Sequence, residues 1–296
     1  MKTPPVCDYE GSDYQEKFWE AGGRAYEDAA EAIALKKLLP AGGQHLLELG
    51  AGAGRNTQRY TGFERITLLD YSTTQLQQAR YKLGESLRYR YIAADVYRLP
   101  FAPATFDAAT MIRTLHHLSQ PRLALEQVRA CLASQAVFIL EFANKRNIKS
   151  VLRFAAGKQK WNPFNREAVE FVELNFDFHP ASIKTILREC GFEVKGQLSV
   201  SYLRADFFKK RFSQKALTGL ETFLQAAASW TAYSPSLFLR TVVQDEGTFI
   251  HTDTPFRCPA CDHFPLIDTP PELTCSACGR VYPVINGIYD FRIDRN

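Results

Sequence analysis

Apolar residues along the chain fall into short runs separated by longer amphipathic stretches. Leu46-Leu47-Glu48-Leu49, Ile66–Asp70, Tyr89–Ala93, Phe106–Ile112 and Ala136–Phe142 have the length and β-branched or aromatic content of buried strands. Helical spacing fills the gaps. Ser72 is placed to cap a helix reaching about Lys82, and Pro121 suits the first turn of one ending near Leu132. Further on, Pro180–Cys190 reads as a helix stopped by Gly191, followed by strands over Phe192–Val200 and Leu237–Val243. At the N-terminus Tyr14, Phe18, Tyr26, Ala30, Ile33 and Leu38 recur at near-helical spacing, broken at Gly22-Gly23 and ended by Pro40–Gly43. This alternation predicts an α/β fold, an open, mostly parallel seven-stranded sheet with helices on both faces.

The layout predicts one large domain over residues 1–244, with an N-terminal helical lid at about 10–40. Insertions at about 144–179 and 202–234 are richer in aromatic and basic residues. A linker over 245–256 then leads to a cysteine-bearing module at 257–296. At 46% apolar and 23% charged, the composition is that of a globular chain. With no apolar run of 18 residues and no signal-peptide core at Met1-Lys2-Thr3-Pro4-Pro5, a cytoplasmic protein is expected. A net charge of +4 does not argue for nucleic acid. Its distribution is more informative: Lys145, Arg146, Lys149, Arg153, Lys158 and Lys160 lie in one acid-free stretch, and Lys209-Lys210-Arg211 forms a second knot.

The strand ending at Glu48-Leu49 runs into Gly50-Ala51-Gly52-Ala53-Gly54. Glycines there let a ligand approach the backbone, and the following N–H groups favour a polar ligand. A dinucleotide loop has its third small residue one position later, at Arg55, and an acid before the first glycine suits a cationic amino-acid group better than a pyrophosphate. Asp70 ends the next strand, where a carboxylate can accept from two ribose hydroxyls, and Asp95 follows the third, placed to accept from an exocyclic amine. Acids at three successive strand ends point to one ligand.

On these residues the stretch 45–142 resembles the class I S-adenosylmethionine-dependent methyltransferases, which have a Rossmann-like fold. The resemblance implies that Glu48 and the Gly50, Ala51, Gly52, Gly54 loop hold the methionine part, Asp70 with Tyr71 beside it the ribose, and Asp95 with the Val96 backbone the adenine. Phe106-Asp107-Ala108 and Leu115-His116-His117-Leu118 are similar to the later motifs of the small-molecule branch, which includes the ubiquinone and menaquinone biosynthesis enzymes. The Asp/Asn-Pro-Pro-Tyr motif of exocyclic-amine methylases is absent. Methyl transfer from a sulfonium is an in-line displacement that needs a base only if the acceptor must lose a proton. His116 and His117 are the candidates, with at most one facing the site. His179 and Glu141 are further candidates. Tyr14, Phe18, Trp19 and Tyr26 are expected to cover the cofactor, with Arg24 near the helix break able to pair with a carboxylate there.

Cys258-Pro-Ala-Cys261 and Cys275-Ser-Ala-Cys278 are two CxxC knuckles separated by thirteen residues. Together they offer four thiolates to one structural zinc ion, whose binding stabilises a module too small to fold well alone. With the Asn286-Gly287 turn, residues 257–293 resemble the small zinc-ribbon proteins that bind and activate tRNA, rRNA and release-factor methyltransferases. A similar ribbon is fused to the N-terminal end of a bacterial 23S rRNA guanine methyltransferase. The expected acceptor is a small or lipid-like molecule. Ile148, Val151, Leu152 and Ala155 at helical spacing between basic residues suggest an amphipathic lid or a peripheral membrane contact. The alternative is an RNA or protein substrate held by the basic insertion and the ribbon.

Overall fold

The computed structural model describes residues 4–7, 9–11, 23–244 and 255–293. The expected lid residues Tyr14, Phe18 and Trp19 and most of the expected linker lie outside the described residues. After α1 (Ala25–Leu38) come β1 (Gly43–Leu49), β2 (Phe63–Asp70), α2 (Thr73–Leu83), β3 (Tyr89–Ala93), β4 (Phe106–Met111), α3 (Pro121–Cys131) and β5 (Leu132–Ala143). The second half holds α4 (Ile148–Ala155), the hairpin β6 (Val169–Val172) and β7 (Asn175–Asp177), α5 (Pro180–Glu189) and β8 (Phe192–Val200). It continues with α6 (Asp206–Arg211), α7 (Gln214–Ala227) and β9 (Ser236–Val243), and ends with β10 (Ile267–Thr269), β11 (Glu272–Thr274), β12 (Val281–Ile285) and β13 (Ile288–Asp290).

Seven strands run side by side in the order β3-β2-β1-β4-β5-β9-β8. Neighbours pair in parallel from β3 to β5, whereas β9 pairs antiparallel with both β5 and β8. Six of the seven therefore point one way, and their C-terminal ends share one edge. Side chains alternate across the sheet as the pleat requires. Leu46, Ile66, Leu68, Ala108 and Ile139 pack under α1 and α2 on one face. Leu47, Leu49, Leu69, Ala109, Phe138 and Leu140 pack with α3 and α5 on the other.

The sheet continues past β3. Strand β13 pairs in parallel with β3 through Ile288↔Tyr91, Tyr289↔Ile92 and Asp290↔Ala93, and β12, β11 and β10 follow, giving eleven strands. The cysteine module is thus joined edge-on to the central sheet, beyond the seven strands expected. Its apolar side has a specific task. Residues 94–105, between β3 and β4, contain no helix, although a parallel crossover is usually covered by one. In its place Phe256 pairs with Phe101 in a short antiparallel bridge, with Ala102 N–H donating to Pro255 O and Arg257 N–H to Pro100 O. Phe256, Leu273, Tyr282 and Phe291 join Phe101 and Phe106 in one buried cluster. The module takes the place of the missing helix.

Candidate functional site

The turn after β1 is shaped by backbone geometry. Gly50 has φ +67°, and a Cβ there would stand 2.0 Å from Thr114 Oγ1, so only glycine fits. The N–H groups of Gly50 and Ala51 both donate to Leu69 O at 2.8 and 3.0 Å. Asp70 completes the tie between the two strand ends: its Oδ2 accepts from Gly52 N–H at 2.8 Å and its Oδ1 from Ser72 N–H at 3.0 Å. A carboxylate oxygen has lone pairs for more than one donor, so holding a backbone N–H does not by itself exclude a ligand. Gly54 has a different role. A Cβ there would lie 3.0 Å from Leu83 Cδ1 and 3.3 Å from Ala79 Cβ, so this glycine admits α2 close to the loop.

Glu48 is 4% exposed and accepts hydrogen bonds from Thr57 Oγ1 at 2.6 Å and Tyr60 OH at 3.3 Å. Burial pushes its carboxyl up to about 7 against those two bonds. A cationic ligand group against it would restore the ionised form. The arginine after the loop is already engaged: Arg55 pairs with Asp28 and with Glu31, the latter at 2.6 Å. Glu31, 2% exposed, also binds Arg113 Nε at 2.5 Å, so α1 is tied to the ends of both β1 and β4.

These elements border a cleft at the C-terminal edge of the sheet. Glu48, Gly50, Ala51, Gly52, Asp70 and Tyr71 line it, as do Ala94 and Val96. Asp95 does not. It is 8% exposed, and its Oδ1 accepts from Tyr97 N–H at 3.0 Å. Ile112, Arg113, Thr114, His117 and Leu118, from the end of β4, line the cleft as well.

The two histidines part company. His117 faces the cleft with its Nδ1 3.0 Å from Leu174 O and its Nε2 3.2 Å from Tyr9 OH. A carbonyl only accepts, so Nδ1 carries the proton in the neutral ring and Nε2 accepts from the tyrosine hydroxyl. Burial lowers its pKa, which keeps the ring neutral. His116 lies behind it, with ring centroids 4.1 Å apart, and its buried Nδ1 has no partner. Burial first, then the charges of His117 and Arg113, hold it well below the usual histidine range. Glu141 accepts from Arg113 N–H at 2.8 Å and from Ser236 Oγ. His179 caps α5, its Nδ1 accepting from Ala181 N–H at 3.2 Å. Tyr26, expected in a lid, instead donates to Glu221 at 2.5 Å and packs with Leu203 and Leu217.

Several lining residues lie outside any periodic segment and were not anticipated. Val6, Cys7 and Tyr9 line the cleft from the N-terminal segment. Next to them, Glu10 accepts from the N–H groups of Thr73 and Thr74 at 3.0 and 2.9 Å, capping α2 from a distant part of the chain. Arg292, just after β13, donates to Glu10 at 3.2 Å and to Tyr71 O at 3.4 Å, and its guanidinium lies 5.8 Å from the Tyr71 ring. The cysteine module therefore touches the rim of the cleft.

Within that module the Sγ atoms of Cys258, Cys261, Cys275 and Cys278 all lie within 4.8 Å of one another. Zinc–sulfur bonds of about 2.3 Å imply tetrahedral edges of about 3.8 Å. The Cys258–Cys278 and Cys261–Cys275 separations, 3.7 and 3.5 Å, are close to that. Tyr282 OH is 3.1 Å from Cys258 Sγ. The four-cysteine cluster fits a metal ion with no position left for water.

Residues 47–140, from β1 to β5, match the family model described as a methyltransferase domain. An O-methyltransferase of Penicillium expansum is 34% identical over 101 residues, covering 32% of this chain and 37% of that protein. A demethylmenaquinone methyltransferase of Paenarthrobacter aurescens is 34% identical over 107 residues, 34% of this chain and 40% of that one. The chain thus spans about two fifths of the length of these curated relatives. Among solved structures, a chain from the complex between a Haloferax volcanii methyltransferase activator and a methyltransferase has a TM-score of 0.56 at 16% identity, covering 78% of this chain and 96% of that one. An S-adenosylmethionine-dependent methyltransferase from Listeria monocytogenes has a TM-score of 0.54 at 17% identity, covering 74% and 99%. At such identities the structural likeness is one of fold. The α/β architecture is Rossmann-like, and among the described residues no helix is long and apolar enough to cross a membrane.

Proposed function

We propose that the chain is an S-adenosylmethionine-dependent methyltransferase that acts on a small or lipid-like acceptor. The observation that carries this reading is the pairing of a buried Glu48 with Asp70 across one glycine loop. Two carboxyl groups face the cleft, while Arg55 beside it is already held by Asp28 and Glu31. Such a pocket repels a pyrophosphate and favours a ligand carrying an ammonium and a ribose.

In this reading Glu48 holds the ammonium group, Asp70 accepts from the ribose hydroxyls with Tyr71 beside it, and the Val96 backbone borders the adenine, with Asp95 turned back to hold Tyr97 N–H. The bound cofactor supplies a methyl group already activated by its sulfonium. The protein's part is then to orient the acceptor, exclude water and, for a hydroxyl acceptor, take its proton. His117 Nε2 is the atom for that proton once the Tyr9 hydroxyl on it gives way to the acceptor, because Leu174 O fixes the tautomer in which Nε2 is the accepting nitrogen. His116, whose ring lies behind His117, supports that turn. The names of the O-methyltransferase and quinone-methyltransferase relatives support a small acceptor. A zinc ion in the four-cysteine cluster holds the module that covers the β3–β4 crossover; its role is structural.

Calorimetry tests the cofactor assignment. S-adenosylmethionine should bind and NAD should not, and Asp70→Ala should remove the heat. Binding of NAD in preference would overturn the reading.

A further inference from the structure

The surface around α4 carries a feature that methyl transfer does not use. Ile148 and Leu152 stand one helical turn apart and are 54% and 62% exposed. Beside them, also one turn apart, the exposed Lys149 and Arg153 form a parallel basic row. The inner side of the helix is Ser150, buried, with Val151 and Phe154 half-buried. An apolar row turned to solvent is the reverse of ordinary helix packing.

The neighbourhood extends the pattern. Phe164, 49% exposed, meets Phe154 edge-on with centroids 6.4 Å apart. Ile148 N–H donates to Tyr233 O at 2.9 Å, which brings in the segment bearing Trp230, 85% exposed. Exposed Lys158 and Lys160 follow the helix. No acid occurs in residues 145–166 or 222–240, and Lys149, Arg153, Lys158 and Lys160 make no ion pair among the described residues.

We propose that α4 with the Trp230–Tyr233 segment is a docking surface for an anionic lipid membrane. Exposed aliphatic and aromatic side chains interleaved with unpaired cations match the acyl–headgroup boundary of such a surface. A second copy of the same acid-free face would bring like charges together. RNA would engage the cations but leave Ile148 and Leu152 without a partner. The surface begins five residues after β5, on the edge of the sheet where the cleft opens, so docking would bring the cleft mouth towards the lipid. The proposal stands on this surface alone and is tested without turnover.

The test is sedimentation of the full chain with vesicles of phosphatidylcholine alone and of phosphatidylcholine with phosphatidylglycerol. Binding is expected to the anionic vesicles, to weaken with salt, and to be absent on phosphatidylcholine alone. Lys149→Glu/Arg153→Glu should lower the partition coefficient at least tenfold, since each basic residue near such a surface contributes roughly fivefold. Ile148→Ser/Leu152→Ser should also lower it at least tenfold. Unchanged circular dichroism and S-adenosylmethionine heats would show that both variants remain folded; vesicle binding without any such heat would leave docking intact and remove the methyltransferase reading instead. No binding of the folded wild type to anionic vesicles overturns the proposal. It is equally overturned by a gel shift with RNA lost only in the charge variant, or by a concentration-dependent dimer lost in the apolar variant, if vesicles do not bind.

Discussion

Asp70 Oδ2 accepts the Gly52 N–H at 2.8 Å, so one carboxylate joins the end of β2 to the loop that follows β1. Asp70→Asn keeps an oxygen for that N–H but removes the charge and the paired acceptors offered to a ribose. The expected outcome is a folded protein whose S-adenosylmethionine affinity drops by tenfold or more, measured by calorimetry.

Gly50→Ala combines a φ of +67° with a Cβ 2.0 Å from Thr114 Oγ1. A strained backbone position costs about 1–3 kcal/mol, and the clash adds to it. A lower melting temperature and lost cofactor binding are expected. Gly52→Ala, whose Cβ would meet nothing nearer than Gln75 Oε1 at 3.8 Å, shares the positive φ but not the clash, and should lose less stability.

The raised pKa of Glu48, about 7 because of burial, gives two pH dependences of opposite sign. Ionised Glu48 is the form that pairs with an ammonium, so cofactor affinity should fall as pH drops below about 7, by up to about tenfold per unit. Stability of the ligand-free protein runs the other way. Its folded pKa lies above the unfolded value of about 4.5, so the contribution is complete below that value and is lost as pH rises through 7. Calorimetry at pH 6 and 8, and melting of ligand-free Glu48→Gln, check both. The variant should flatten the affinity profile and should be more stable relative to the wild type at pH 8 than at pH 6.

His117 and Tyr9 are coupled through the 3.2 Å contact at Nε2. For a hydroxyl acceptor, His117→Ala should lower kcat by roughly 10²–10⁴, the usual range for a general base, while leaving cofactor affinity within a few-fold. Tyr9→Phe frees Nε2 and should shift the pH–rate profile with a smaller loss of kcat. An unchanged rate in His117→Ala would remove it from the chemistry.

Metal in the four-cysteine cluster should matter at a distance. Chelation, or Cys261→Ser with Cys278→Ser, should loosen the cover over Phe101 and Phe106, each buried to within 1%. A buried phenylalanine contributes about 1.5–3 kcal/mol, so a clear fall in melting temperature is expected. Cofactor affinity should weaken too, because Arg292 ties the module to Glu10 and Tyr71.

Much of this was legible locally. Ser72 accepts from Gln75 N–H as a helix cap should, and β3 spans Tyr89–Ala93 as its apolar run predicts. Both depend on residues a few positions apart. The pairing of β13 with β3 was not legible, because nothing in a short strand names a partner some 200 residues away. Tyr9 and Glu10 were missed for a related reason: they belong to no periodic segment, and their contacts lie 63 to 282 residues along the chain. Gly54 and Asp95 were expected at the ligand, yet Gly54 makes room for Leu83 and Ala79 of α2 and the Asp95 carboxylate accepts from Tyr97 N–H, contacts that spacing alone does not reveal.

The most direct test of the central claim is transfer of tritiated methyl from S-adenosylmethionine into a cell extract, afterwards separated into lipid, RNA and protein fractions. Label in the organic phase with the wild type, and none with Asp70→Ala, is the predicted result. Label confined to RNA or protein would contradict the acceptor assignment, and no label in any fraction, with no binding heat, would contradict the enzymatic one.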